Sequence, residues 1–362
     1  MTKESFNKIL FLVIYWVLTA VFYVFFEGAI ETFWAMFYSV KGFDYDLGRI
    51  LLIVFIVAFL GAIALASFEV LFFGKMLKKK PFGYALIVKS LFYLASIFLL
   101  SSIGTIISYS LHLESPVFSS AVLNQFANYL SSPKIWVIMI YWGIAVSSGL
   151  FLLEVSEKFG PGVLVNFLLG KYHQPKEETR IFMFLDLKSS TEYAEKLGHL
   201  KYSRLIQDCF YDLTDVVIQH KARIYQYVGD EVVLTWRRDE GIKNNNCIKV
   251  FFAYEKALRD RVDYYSEKYH IHPEFKAGLN AGFVTVAEVG ALKKELAYHG
   301  DAIITASRIR SECNTVKRRL LISADLLSIM ENIDDDFKVE SMGVCRLRGK
   351  QNVIGLFSVE EN

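Results

Sequence analysis

Four apolar runs, about Ile9 to Phe26, Ile50 to Phe73, Tyr84 to Tyr109 and Ile135 to Leu153, crowd the first half of a 362-residue chain. Each approaches or exceeds the roughly 20 apolar residues that cross the hydrocarbon core of a bilayer. A soluble helical bundle would need polar faces at helical spacing, and these runs have almost none. They read as four membrane helices in contact with lipid. The first is a poor signal peptide, because it is long, carries Trp16 and bulky aromatics, and lacks a small-residue cleavage site before Glu27.

Charge sets the orientation. The loop after the second run reads "GKMLKKKP", with Lys75, Lys78, Lys79 and Lys80, whereas the loops after the first and third runs carry Glu27, Glu31, Asp44, Asp46 and Glu114. An excess of Lys and Arg marks cytoplasmic loops, so this loop and both termini are expected inside. Trp16, Trp34, Trp136 and Trp142 are candidate interfacial anchors, and Lys89 is expected to snorkel to the cytoplasmic face. His112 is the one histidine before residue 170, so paired intramembrane haem ligation is unsupported. Glu69 and Glu154 sit near helix ends, leaving no acid for an ion path. A sensor, anchor or dimerisation module fits best.

The sequence divides into a membrane domain at 1–155, a linker or coupling segment at 156–179 and a second domain at 180–362. Gly160, Pro161 and Gly162 break the helix leaving the bilayer, and Pro175 to Glu178 make a polar boundary. The apolar piece between them, Val163 to Leu169, suits an amphipathic coupling segment or a passive linker equally. The formal net charge of +2 gives no bulk argument for nucleic acid as a partner. Cys209, Cys247, Cys313 and Cys345 lack a C-x-x-C pair and read as reduced cytosolic thiols.

From Arg180 onward, strand and helix patterns alternate. Strands are expected at Ile181–Leu187, Arg223–Tyr227, Glu231–Trp236, Phe275–Ala281, Phe283–Val289, Leu320–Ser323, Lys338–Leu347 and Asn352–Val359. Helices are expected at Glu192–Lys196, Tyr202–His220, Cys247–Lys268 and Ala302–Glu312. Several neighbouring strands are joined by tight turns, so the class is α+β, a largely antiparallel sheet covered by helices on one side.

The chemistry rests on two acids. Asp186 ends the apolar strand "IFMFLDL", and Asp230 sits at the turn of "YQYVGDEVVLTW", where Gly229 supplies permissive backbone. A lone Gly-Asp would be a turn. Two acids on neighbouring apolar strands converge on a divalent ion or a pair of ions, and carboxylate oxygens suit Mg2+ or Mn2+.

The ordered motifs "FLDLKSST", "YQYVGDEVVLTW", "GLNAGFVTVAEVG", "HGDAIITASRIR" and "LRGKQ" resemble those of the class III nucleotidyl cyclase catalytic domain over essentially all of Arg180 to Val359, in its membrane-anchored bacterial form. The resemblance implies that a ribose 3′-hydroxyl attacks the α-phosphorus of a nucleoside triphosphate, with two metal ions per site serving an in-line displacement. It implies metal binding by Asp186, Asp230 and the backbone carbonyl of Leu187, charge stabilisation by Arg308, and sites completed across a homodimer in a bacterial inner membrane. Arg348 falls where the family usually has a phosphate-binding lysine, and Lys350 is a nearby substitute.

Three positions depart from the pattern. Ile304 stands where the family has an asparagine four residues before the arginine, and its side chain makes no hydrogen bond. Thr305 is adjacent, but neighbouring helix positions point about 100° apart. The purine-reading positions are Gln226 and Ala297; the amide serves adenine or guanine, and the methyl reads nothing. ATP is the commoner substrate of bacterial members, while GTP, a pyrimidine triphosphate, or a nucleotide-binding module of weak or no turnover are the alternatives. Glu231 is expected to face solvent, His299 to pack or cap, and Asp301 to cap its helix.

Overall fold

The computed structural model describes residues 3–37, 47–77, 80–159, 163–331, 333, 336–347 and 353–362. The chain forms two compact units, Met1–Phe159 and Gly160–Asn362.

The first unit is helical: α1 (Lys3–Phe37), α2 (Leu47–Phe68), a π-helical turn (Glu69–Phe73) running into α3 (Gly74–Met76), α4 (Phe82–His112), α5 (Ser120–Ser131) and α6 (Pro133–Phe159). Among the described residues, four stretches are long and apolar enough to cross a membrane: Ser5–Ala29, Phe55–Phe73, Phe82–Leu111 and Ile135–Ser156. Their outward side chains are apolar, with Leu18, Phe22, Leu60, Leu99, Ile140 and Ile144 all exposed. Water would penalise such a surface, whereas lipid tails would not. Inside, Leu12, Ala62, Ala66, Tyr93, Val146 and Leu150 pack together. The Tyr15 ring lies within 2.4 Å of the place a Cβ on Gly149 would take, and its hydroxyl donates to the Ala145 carbonyl at 2.8 Å.

Two expectations for this unit are corrected. Trp16 is no anchor: it is buried in the core, against Tyr15 and Tyr93. Lys89 does not snorkel. It is 4% exposed, with Nζ 2.6 Å from Glu69 Oε1 and 2.7 Å from Glu154 Oε1, while the Tyr93 hydroxyl donates to Glu69 Oε2 at 2.8 Å. A buried ammonium without counter-charge is costly, and two acids beside it remove the reason to reach for water. The apolar runs therefore do contain a buried acid, Glu69. Trp34's side chain, Lys78, Lys79 and Gly160 to Gly162 lie outside the described residues.

The second unit runs α7 (Val163–Leu168), β1 (Lys176–Leu187), α8 (Ser190–Gln219), β2 (Arg223–Val228), β3 (Glu231–Arg237), α9 (Arg238–Ile242), α10 (Asn246–Arg259), α11 (Val262–Tyr269), β4 (Phe275–Val289), β5 (Glu295–His299), α12 (Asp301–Thr315), β6 (Leu320–Ser323), α13 (Ala324–Ser328), β7 (Phe337–Cys345) and β8 (Ile354–Glu361). Among the described residues the sheet order is β2-β3-β1-β4-β6-β8-β7, with β5 beside β4. Among the described residues, only β4 and β6 pair in parallel; the other neighbours are antiparallel.

Alternation along β1 divides the core. Ile181, Met183 and Leu185 meet Leu205 and Leu213 of α8, Phe251 of α10 and Tyr265 of α11. Phe182 faces the other way, with Val284, Tyr298, Ala302 and Ala306. Helices were expected on one side only; α12 lies on the second face. Gly278 and Gly282 lie on the β4 face toward it, and a Cβ on Gly278 would come within 2.1 Å of the Arg310 backbone nitrogen. Asn280 Nδ2 donates to the Ala302 carbonyl at 3.0 Å, and a Cβ on Gly282 would meet Ala302 Cβ at 3.0 Å. Gly282 therefore does not divide two strands. β4 runs through it, paired to Arg180, because the glycine makes room for a helix rather than a turn.

The expected helix Cys247–Lys268 is two helices, parted at Asp260 and Arg261. The break lets the Tyr264 and Tyr269 hydroxyls donate to Asp208 and that of Tyr265 to Asp212, tying α11 to α8.

Candidate active site

Asp186 lies one residue from the end of β1, on the α12 face of the sheet. Its register partners are Glu231 on β3 and Lys276 on β4. Position 230 follows Gly229, whose φ of +63° is the left-handed backbone that glycine adopts without strain. The β2–β3 hairpin thereby presents Asp230, half-buried, at the same end of the sheet.

Cations crowd Asp186. Arg310 Nη1 donates to Asp186 Oδ2 at 3.2 Å, and Lys276 Nζ lies 3.2 Å from the same oxygen. Arg310 Nη2 reaches Glu231 Oε2 at 2.6 Å. Burial pushes the Asp186 carboxyl above its ordinary value, Arg310 and Lys276 pull it back, and the charge of Asp230 adds to the push. Glu231 is likewise raised by burial, against the pull of Arg310 and with the push of Asp186 and Asp230. The expectation that Glu231 faces solvent is corrected: it is 9% exposed and ion-paired.

The other expected residues are spread along the same region. Leu187 closes β1 with its side chain in the main core. Arg308 is half-buried on α12, and among the described residues no ion pair holds it. Two helix positions separate it from Arg310, about 200° around the axis, so the two arginines face different ways. Ile304 is 48% exposed. Thr305 is buried, and its hydroxyl donates to Asp301 Oδ2 at 3.3 Å. Gly300, not Asp301, takes the cap position of α12, with no side-chain cap. His299 is exposed on β5.

Gln226 is exposed on β2 beside a bulge, where the register slips between Ile224 and Gln226. Such a bulge re-aims side chains. Ala297 pairs with Ala287 on β5. Arg348 and Lys350 lie outside the described residues.

Asp186 and Asp230 offer hard oxygen donors, and among the described residues no group of three or more His, Cys, Asp or Glu side chains forms a complete protein cage for a metal. That set fits an ion of the magnesium kind, held by one or two carboxylates and completed by water and phosphate oxygens.

Residues 172–359 match the family model described as the adenylate and guanylate cyclase catalytic domain, more than half of the chain. The chain belongs to this family. Over 222 residues it is 30% identical to adenylate cyclase 2 of Rhizobium meliloti (strain 1021), covering 61% of each chain. It is 22% identical over 183 residues to adenylate cyclase 1 of the same organism, covering 49% of this chain and 27% of that one. The chain thus spans about three-fifths and about a quarter of the length of these relatives. A solved structure of a bacterial light-regulated adenylyl cyclase shares its fold, with a TM-score of 0.53 at 18% identity over 64% of each chain. Within this cyclase domain, Arg310, Lys276 and Glu231 are the charged residues at Asp186 that sequence reasoning did not place. Only the strand register and the seating of α12 bring them there.

Proposed function

We propose that this chain is a membrane-anchored class III nucleotidyl cyclase that converts ATP to 3′,5′-cyclic AMP and pyrophosphate. The observation that carries the reading is the pairing of a buried Asp186 with Asp230 at one end of the sheet, in a domain of this family. The 30% identity to adenylate cyclase 2 supports ATP over GTP.

Asp186 and Asp230 are the residues to hold a divalent cation, Mg2+ or Mn2+, with the Leu187 carbonyl beside them. Bound there, the metal supplies Lewis-acid polarisation of the phosphoryl oxygens. The rigid apolar strand under Asp186 fixes the carboxylate, and the Gly229 turn leaves Asp230 open to nucleotide. Arg308 stabilises charge building on the α-phosphate from a position that costs no reorganisation. Gln226, Ala297 and Ile304 line the base and ribose side, with Arg348 and Lys350 for the terminal phosphates. Two copies complete each site: Ile304 at 48% and Phe283 at 75% exposure are apolar side chains that a second cyclase domain would cover.

The four apolar helices anchor the chain in a bacterial inner membrane, with both termini cytoplasmic as the lysines at 75 and 78–80 favour. Residues 156–179 couple the anchor to the catalytic unit. The test is product formation by the full-length protein in detergent, given ATP, GTP, CTP and UTP separately with Mn2+. Cyclic AMP as the main product supports the reading. A product from another base moves the substrate, and nucleotide binding without product makes the domain a binding module marked by Ile304.

A further inference from the structure

The family pattern implies two metal ions per site, and the surroundings of Asp186 disagree. For Asp186 to hold two ions in the common carboxylate bridge, each of its oxygens would have to be open to one of them. Asp186 Oδ2 already carries Arg310 Nη1 at 3.2 Å and Lys276 Nζ at 3.2 Å, which leaves Oδ1. The charges agree with the geometry. On the protein side, Asp186, Asp230 and Glu231 bring three negative charges and Arg310 and Lys276 two positive ones, so the side chains keep a single net negative charge before the triphosphate binds.

Arg310 is also held where it is. Its own backbone is pressed onto Gly278, with no room for even a Cβ between them. Its Nε is buried without a partner, and its Nη2 is ion-paired to Glu231. Swinging away from Asp186 would strand Glu231, 9% exposed, as an unpaired buried acid. Lys276 has its own tether, donating to Asn314 Oδ1 at 3.1 Å.

We propose that this cyclase domain works with one divalent ion per bound nucleotide, and that Arg310, locked between Asp186 and Glu231, is the fixed cation standing in place of the second. Arg310 is here a positioning and charge-compensating residue, since what it touches is the acid and not the substrate. The proposal rests on Asp186 and Asp230 being the metal-binding pair.

The experiment counts ions without turnover. Full-length protein in detergent is saturated with 3′-deoxy-ATP, which lacks the attacking hydroxyl, and titrated with Mn2+, free ion being read by electron paramagnetic resonance and bound nucleotide by filtration. One Mn2+ per bound nucleotide is expected for the wild type. Two are expected for Arg310→Met, and for Arg310→Met combined with Glu231→Gln, a second variant that does not leave Glu231 as an unpaired buried charge. Two ions per nucleotide in the wild type would overturn the proposal while leaving the metal-binding pair intact. If Asp230→Asn retained wild-type Mn2+ affinity, the underlying assignment of Asp186 and Asp230 would fall instead.

Discussion

At the scale of single residues, the site couples an acid that is held with one that is presented. Asp230→Asn keeps the size and the turn but removes the charge, so turnover is expected to vanish while circular dichroism and oligomeric state stay unchanged. Retained activity would remove Asp230 from the metal. Arg308 is expected to act on the transition state: Arg308→Ala should lower kcat by about 100-fold or more and leave nucleotide binding nearly unchanged. An equal loss in binding would place it in ground-state recognition. The position of the two aspartates at one end of the sheet was legible in the sequence, because each sits in a local motif, an acid closing an apolar strand and an acid on a glycine turn. Arg310, Lys276 and Glu231 were not, because a side chain's partner across a sheet depends on register, which no local spacing encodes. Glu231 read as solvent-facing for the same reason.

At the scale of elements, β4 and α12 form the platform beneath these charges. Gly278→Ala would drive a methyl into the Arg310 backbone, which cannot rotate aside. A loss of about 1–3 kcal/mol is expected, read as a lower urea midpoint, together with disturbed Mn2+ binding. The alternating small residues of β4 were visible in "AGLNAG", but Gly282 suggested a turn, since a glycine that yields space to a helix and one that bends a chain look alike in sequence. The α8–α11 tie carries a pH dependence. Burial alone would raise the Asp208 carboxyl, and hydrogen bonds from Lys268, Tyr269 and Tyr264 outweigh it, holding the group below its ordinary value. An acid depressed in the folded state stabilises it above the unfolded pKa and loses that contribution as pH falls through the folded one. Stability is therefore expected to drop on acidification below about pH 4, and Asp208→Asn to flatten part of that slope. Glu178, Glu274 and Asp336, also depressed, act in the same direction. An unchanged acid limb of the urea midpoint in the variant would remove Asp208 from the balance.

At the scale of the whole molecule, the four apolar runs were the clearest feature of the sequence because lipid demands length and apolarity alone. What lies inside them was hidden, since Lys89, Glu69 and Glu154 are far apart in the chain and meet only when their helices pack. Lys89→Met should leave two acids facing each other in the helical unit and cost roughly 3–5 kcal/mol, seen as a lower Tm in detergent and rescued in part by Glu69→Gln. An unchanged Tm would mean that the three groups contribute nothing net. The close seating of α12 on Gly278 also fixes a clock. A helix whose backbone rests directly on a central strand cannot fray away from it, so its amides should exchange with deuterium only when the sheet itself opens, among the last in the catalytic unit. Arg308 and Arg310 would then keep time with the acids of β1 and β3, and any signal that changes the rate on a faster schedule must act somewhere other than between that helix and that sheet.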